Sequence, residues 1–113
     1  MWKQYGQVKA LGSLARTFRR AVAEAGLLAP DGIVGVVATG ALDEQLFTSM
    51  VDGLRDGTWE LVCHPGYNDA ELGSIRTRLR QSRAVELQLL TSPEVRESLK
   101  RNGIELISYH DLF

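Results

Sequence analysis

The sequence predicts an α/β fold with about three short parallel strands and four helices. Two runs, at residues 33–38 and 58–63, are short and apolar and carry the β-branched or alternating side chains that are typical of strands. An amphipathic stretch separates them, and the order strand, helix, strand indicates a parallel crossover. A third alternating run lies at residues 104–108. Because three strands cannot close a barrel, we expect two open sheet edges.

The four predicted helices share apolar residues at three- and four-residue spacing. They cover residues 8–25, residues 42–54, a stretch running through residues 83–90, and a final helix that starts at residues 92–93 and ends at residues 102–103. The last helix has the clearest start, since Ser92 suits the N-cap and Pro93 the first helical position. Residues 68–74 are polar and are predicted to form a loop.

Composition bounds the class of protein. With 113 residues, 44% of them hydrophobic, the chain is expected to be one partial, folded domain over residues 1–113. A net charge of −1 creates no overall field that would attract nucleic acid or an anionic membrane. No apolar run is long enough to span a bilayer, and the first residues lack the apolar core of a signal peptide. The single cysteine fits a reducing compartment, so we expect a cytoplasmic location.

The most informative residue is His64, which an apolar strand delivers directly into a Pro65-Gly66 turn. Alternation places Leu61 and Cys63 on one face of this strand and His64 on the other. A histidine at the carboxyl end of a parallel strand lies where α/β proteins keep their chemistry, and it exchanges protons near neutral pH. The alternative is a histidine that caps the strand by hydrogen-bonding a nearby backbone group. Cys63 reads as a small buried residue rather than a nucleophile.

Other polar residues have structural interpretations beside the functional ones. Metal ligands within the chain would have to come from His64, His110, Asp69 and Asp111, which share no familiar spacing. Residues 109–111 read as an extension of the terminal strand rather than a His-Asp dyad. Two groups of arginines, around residues 16–20 and 76–83, read as solvated helix faces rather than phosphate sites. The Thr39-Gly40 loop has two interpretations: it contacts a ligand, or its glycine only permits the turn from strand to helix.

Several motifs together resemble the YdjC-like carbohydrate deacetylases, with the hopanoid-biosynthesis-associated branch the most similar. They are the Pro-Asp-Gly-Ile-Val-Gly run at residues 30–35, Thr39-Gly40, the Glu-Leu-Val-Cys-His-Pro-Gly-Tyr run at residues 60–67, Arg83, Glu86-Leu87, residues 90–95 and the ending at residues 103–112. The resemblance covers nearly all of this chain but only the latter part of a family member. The family's Asp-Asp motif and its two histidine-bearing metal motifs have no counterpart here.

The resemblance implies a partial (β/α) barrel-like fold and a hydrolase that removes acetyl groups from an N-acetylated sugar or glycolipid. The complete family enzyme uses a divalent metal, Mg or Zn, and we expect this chain alone to bind none. His64 matches the family's His-Pro-Gly histidine, which implies a general-acid or substrate-orienting role. Arg83 and Glu86 match an arginine and a glutamate that form an ion pair or hydrogen-bonded brace or, for Arg83, contact the sugar. Tyr67 stacks on a sugar ring or packs over its own loop.

Two classes of function therefore compete. In the first, the chain is the C-terminal part of a metal-dependent deacetylase and is inactive alone. In the second, it is a non-catalytic structural or interaction fragment that forms a homo-oligomer or complements a separate N-terminal half, which would cover its open sheet edges. A third class, phosphate or nucleic-acid binding through the arginines, conflicts with the near-zero net charge, and we expect no nucleic-acid partner.

Overall fold

The structure is a computed structural model that describes residue 12 and residues 14–112. The elements follow in the order α1 (Ala15–Glu24), β1 (Gly32–Val34), α2 (Glu44–Asp52), β2 (Trp59–Leu61), α3 (Ala70–Gly73), α4 (Gln81–Leu90), α5 (Pro93–Arg101) and a final 3-10 turn (Tyr109–Leu112). The predicted mixture of helices and parallel strands is confirmed. The predicted first helix began at residue 8, and its residues 8–11 and 13 lie outside the described part of the chain.

The two strands pair in parallel across the predicted crossover. Ile33 stands opposite Glu60 in the register, and the ladder continues beyond β2 through the amide of Val62, which donates to the carbonyl of Val34 at 2.9 Å. Asp31 fastens the opposite end, because its amide donates to the Thr58 carbonyl at 2.7 Å and its carboxylate accepts from the Thr58 amide at 2.8 Å. The strand, helix, strand interpretation is therefore confirmed.

The first strand is shorter than residues 33–38 because the backbone turns at Gly35. Gly35 has φ 91°, and a Cβ placed there would lie 2.4 Å from the carbonyl oxygen of Val62. Only glycine accommodates both this dihedral and this close approach. Successive turns follow, and in one of them the Thr39 hydroxyl donates to the Val36 carbonyl at 2.8 Å. Of the apolar residues after Gly35, Ala38 thus enters the core from a turn, whereas Val37 is 41% exposed.

The predicted third strand at residues 104–108 is wrong. In the described part of the chain the sheet has two strands, not about three, and no barrel-like arrangement is seen there. The amide of Ile104 closes the end of α5 by donating to the Leu99 carbonyl at 2.9 Å, and Leu106 is 80% exposed. The alternation of residues 104–108 had no neighbouring strand to pair with, and a strand needs such a ladder to form. The extension predicted for residues 109–111 is also wrong, since these residues form the 3-10 turn.

Three helices begin at residues whose side chains accept a backbone hydrogen bond. Asp43, Asp69 and Ser92 accept from the amides three residues later, at 2.8, 3.0 and 3.2 Å. The start of α5 at Ser92 and Pro93 is as predicted. Asp69 starts the short helix α3 inside residues 68–74, which were predicted to be a loop, and this brings the described α-helices to five rather than four.

The core lies on one face of the sheet, under α2, α4 and α5. It contains Ala38, Leu42, Phe47, Val51, Leu89 and Val95, with Leu61 and Cys63 packed against it from the strand side. In contrast, Ile33 is 57% exposed and α1 has no buried residue. The helices therefore cover one side of the sheet, while Ile33 on β1 and the whole of α1 remain largely in solvent.

Candidate active site

His64 lies three residues beyond the end of β2. Leu61 and Cys63 pack against the core, so alternation directs His64 to the face away from it. The residue is half-buried. Its Nδ1 is shielded from solvent and has no hydrogen-bond partner in the part of the chain that the structure describes. His64 therefore lies just beyond the carboxyl end of a parallel strand, where the sequence places it, with one ring nitrogen buried and unpaired among the described residues.

The backbone of His64 is held by Glu86 of α4. The His64 amide donates to Glu86 Oε2 in a short hydrogen bond, and Glu86 is 1% exposed. A buried carboxylate is costly unless it is hydrogen-bonded, and hydrogen bonds to ionised acceptors are stronger than neutral ones. The brace predicted beneath this loop is, for Glu86, a hydrogen bond that its carboxylate accepts from the backbone amide of His64 itself.

Arg83 holds the other end of the same turn. Its carbonyl accepts from the Gly66 amide at 3.1 Å, and a Cβ added at Gly66 would lie 3.7 Å from Arg83 Cδ. The Nε–H of Arg83 donates to the Leu79 carbonyl, four residues earlier, at 3.0 Å. The backbone and the aliphatic stem of Arg83 therefore support the loop, while Nε is engaged with its own helix.

Tyr67 follows the turn and is 77% exposed. The alternative that its ring packs over its own loop does not describe this structure. The side chain of Tyr67 is therefore accessible from solvent beside the His64 turn.

Cys63 was predicted to be a small buried residue, and in the structure it is half-buried. It packs against the core, and burial raises the pKa of its thiol, with a further contribution from the negative charge of Glu86. A raised pKa lowers the thiolate fraction at neutral pH, and the thiolate is the nucleophilic form. Cys63 is therefore poorly suited to nucleophilic chemistry.

The remaining possible metal ligands are engaged elsewhere. Asp69 caps α3, and Asp111 Oδ2 accepts from the amide and the hydroxyl of Ser108 at 2.7 Å each, which lowers the pKa of the Asp111 carboxyl. His110 lies with Asp111 in the 3-10 turn. Over residues 12 and 14–112, no group of three or more histidine, cysteine or acidic side chains is arranged to hold a metal ion.

Some arginines of each group donate hydrogen bonds to backbone carbonyls. Arg19 of the first group donates to the Asp31 carbonyl, and Arg80 of the second donates to the carbonyls of Ile75 and Thr77 at 3.1 and 3.4 Å. These contacts fit the structural interpretation of both groups. At Gly40, φ is 81° and a Cβ would lie 2.8 Å from Leu79 Cδ2, so this glycine also has a packing reason.

Two contacts were not predicted from the sequence. The Tyr109 hydroxyl donates to Glu60 of β2, which raises the pKa of Tyr109, and the segment at residues 78–79 lies against the Gly40 turn. Both join residues that are 38 or more positions apart, and local patterns carry no signal for such pairs.

Among the described helices, none is both long and apolar enough to cross a bilayer.

Comparison with known proteins gives a consistent family. A family model described as YdjC-like protein matches residues 2–101. A carbohydrate deacetylase of Geobacillus stearothermophilus is 36% identical over 73 residues, which is 64% of this chain and 29% of that protein. One from Thermoanaerobacter pseudethanolicus is 30% identical over 88 residues, 78% of this chain and 35% of that protein, and carbohydrate deacetylase 2 of Listeria innocua is 45% identical over 53 residues, 47% of this chain and 21% of that protein.

The matched segment spans about a third or less of the length of these relatives. The family model, in contrast, covers most of this chain, including β1, β2, the His64 turn and all of α4 and α5. On that match, the chain belongs to the YdjC-like protein family.

Proposed function

We propose that this chain is the C-terminal part of a carbohydrate deacetylase that acts on an N-acetylated sugar or glycolipid, and that it contributes the His-Pro-Gly loop of the active site. The observation that carries the proposal is the fixed position of His64 after β2, in a chain of the YdjC-like family whose named relatives are carbohydrate deacetylases. Membership of the hopanoid-biosynthesis-associated branch is part of the proposal and rests on the sequence resemblance as a whole. A single partial domain, a cytoplasmic location and no nucleic-acid partner belong to the same proposal.

His64 is assigned the proton transfer. Removing an acetyl group from an amide breaks the bond between carbonyl carbon and nitrogen, and the departing amine takes up a proton. An imidazole on the open side of the sheet is suited to donate it. Tyr67 offers an exposed ring for the sugar, and Arg83 supports the turn through its carbonyl, with direct contact to substrate as a further part of the proposal.

The family enzyme's divalent metal, Mg or Zn, does not fit the residues described here, since they offer no group of three ligands. We therefore assign the metal to the N-terminal part of a complete enzyme and derive no step through it. On this account the isolated chain has no deacetylase activity. It gains activity only beside a portion that carries the ligands.

Acetate release tests this assignment. The purified chain is incubated with N-acetylglucosamine oligomers and Mg²⁺ or Zn²⁺, alone and together with the N-terminal portion of the Thermoanaerobacter pseudethanolicus relative. We expect acetate only from the mixture. Acetate from the chain alone would contradict the claim that it is inactive, and an inactive mixture whose two parts bind each other would contradict its role in catalysis.

A second candidate function is a non-catalytic interaction fragment, and the exposed apolar side chains favour it. Phe18 on α1 is 67% exposed, Ile33 on β1 is 57% exposed, and Leu14, Leu27 and Leu28 are exposed nearby in the sequence. Exposed apolar patches and open sheet edges are typical of interaction sites. We assign this surface to the N-terminal part of a deacetylase, because the relatives carry about two thirds or more of their length outside the matched segment.

Sedimentation velocity distinguishes the two possible partners of this surface, which are the N-terminal part of a deacetylase and a second copy of this chain. Mixed with the N-terminal portion of the relative, the chain is expected to form a one-to-one complex that Phe18→Ser together with Ile33→Thr weakens at least about tenfold, from the apolar area lost. Leu106→Ser is the control, since Leu106 is more exposed but lies at the other end of the chain. Self-association with no hetero-complex would favour a homo-oligomer and overturn this assignment.

A further inference from the structure

Glu86 is the only fully buried large side chain among the described residues, and it is an acid. The other buried residues of the described chain are apolar apart from Ser98, which is 4% exposed. Carboxylates are rarely buried without a partner, because taking the charge out of water costs several kcal/mol unless hydrogen bonds compensate. A leucine or methionine would fill the same volume without that cost. The carboxylate therefore needs a reason beyond packing.

Its contact supplies that reason. Glu86 Oε2 accepts from the amide of His64, 22 residues earlier in the chain, and the Arg83 carbonyl accepts from the amide of Gly66. Pro65, between them, has no amide proton. Both amide groups of the His-Pro-Gly turn are thus bound by residues 83 and 86, which are neighbours on one face of α4.

We propose that Glu86 is a positioning residue for His64: its carboxylate fixes the peptide between Cys63 and His64 and so sets the direction in which the imidazole leaves the sheet. Helix α4 acts as the template for the turn, with the Arg83 carbonyl holding its far end. This assignment rests on the proposed function of His64. The contact itself can be measured on the chain without any substrate.

Three substitutions separate the effects of this side chain. Glu86→Gln keeps the size and one acceptor oxygen but removes the charge, and Glu86→Ala removes both. Leu89→Ala lies on the same helix and is also buried, at 7% exposure, but it contributes to the apolar core and not to the turn. It controls for a general loss of stability. Burial raises the pKa of the neighbouring Cys63 thiol, and the negative charge of Glu86 adds to that shift.

The measurement is NMR of the ¹⁵N-labelled chain, with hydrogen exchange of the His64 and Gly66 amides expressed relative to that of Leu61 in the same variant. A hydrogen bond to a charged group corresponds to about a tenfold or larger protection factor. We expect Glu86→Ala to lose that protection at His64 and to average the Hα–Hβ couplings of its side chain. Glu86→Gln is expected to retain one dominant rotamer, and Leu89→Ala to leave both readouts unchanged.

Unchanged His64 protection and couplings in Glu86→Ala would overturn the proposal, as would equal changes in Leu89→Ala. If Glu86→Ala does not fold, Glu86→Gln still tests whether the His64 amide is bound to the carboxylate. The His64 amide proton is expected far downfield in the parent chain, as for a short hydrogen bond to a carboxylate, and to move upfield in Glu86→Gln. A proton that does not move would contradict the contact. Failure of the deacetylase assay leaves these readouts unaffected, so the two proposals fail separately.

Discussion

Cys63 and His64 are adjacent in the sequence, and alternation along the strand places their side chains on opposite faces. Period-two alternation from Trp59 onward predicted this, and the packing of Cys63 against the core confirms its side of the strand. The partner of His64 could not be predicted in the same way. Glu86 lies 22 residues later, and its contact depends on where α4 packs, which no local pattern specifies. The resemblance pointed to Glu86, but the atom that it binds is a finding of the structure.

The raised pKa of Cys63 leads to a prediction about its reactivity. A folded thiol that holds its proton more tightly forms less thiolate at a given pH, so iodoacetamide should alkylate the native chain at pH 8 more slowly than the chain in denaturant. The rate in the native chain should also rise at higher pH than it does in denaturant. Because Cys63 is the only cysteine, mass spectrometry reads it without ambiguity. Equal rates in both states would contradict the burial of this thiol.

Gly35 is expected to be intolerant of a side chain. At φ 91°, with the Val62 carbonyl oxygen 2.4 Å from the position of a Cβ, Gly35→Ala should lower the free energy of unfolding by about 2–4 kcal/mol. Gly73→Ala is the matched control, because its Cβ would meet only Arg80 Nη1 at 3.9 Å. Urea denaturation followed by circular dichroism measures both variants. Similar midpoints for the two would show that the turn after β1 is not strained as described.

At the level of secondary-structure elements, the sequence predicted the helices more accurately than the strands. The start of α5 was predicted to the residue because Ser92 and Pro93 are local signals, and the structure uses both. The strand predicted at residues 104–108 failed because strand formation depends on a neighbour, and alternation alone does not supply one. Asp69 was weighed as a metal ligand, although its position two residues before Glu71 also fits the cap that it forms.

Removing the cap of α5 should have a measurable cost. Ser92 Oγ accepts from the Val95 amide at 3.2 Å, and Val95 is part of the core, so Ser92→Ala should destabilise the chain by about 1 kcal/mol. Arg96→Ala is the control, because Arg96 is exposed on the same helix. Thermal melting of the two variants tests this. A Ser92→Ala variant as stable as Arg96→Ala would mean that the cap contributes nothing to the fold.

At the scale of the whole molecule, the two-stranded sheet is covered by helices on one side and carries exposed apolar residues on the other, including Ile33. The strand count predicted a sheet with open edges, and the two-stranded sheet of the described residues has them. The predicted number of strands was too high, because alternation along a segment does not supply the neighbouring strand that it must pair with.

The central claim is that His64 supplies the proton-transfer group of a deacetylase site completed by another portion of protein. The most direct test compares the chain's two histidines in the active mixture with the N-terminal portion of the Thermoanaerobacter pseudethanolicus relative. His64→Gln is expected to lower the rate of acetate release by about 100-fold or more, whereas His110→Gln, in the 3-10 turn, should leave it unchanged. A mixture that keeps full activity with His64→Gln would contradict the account.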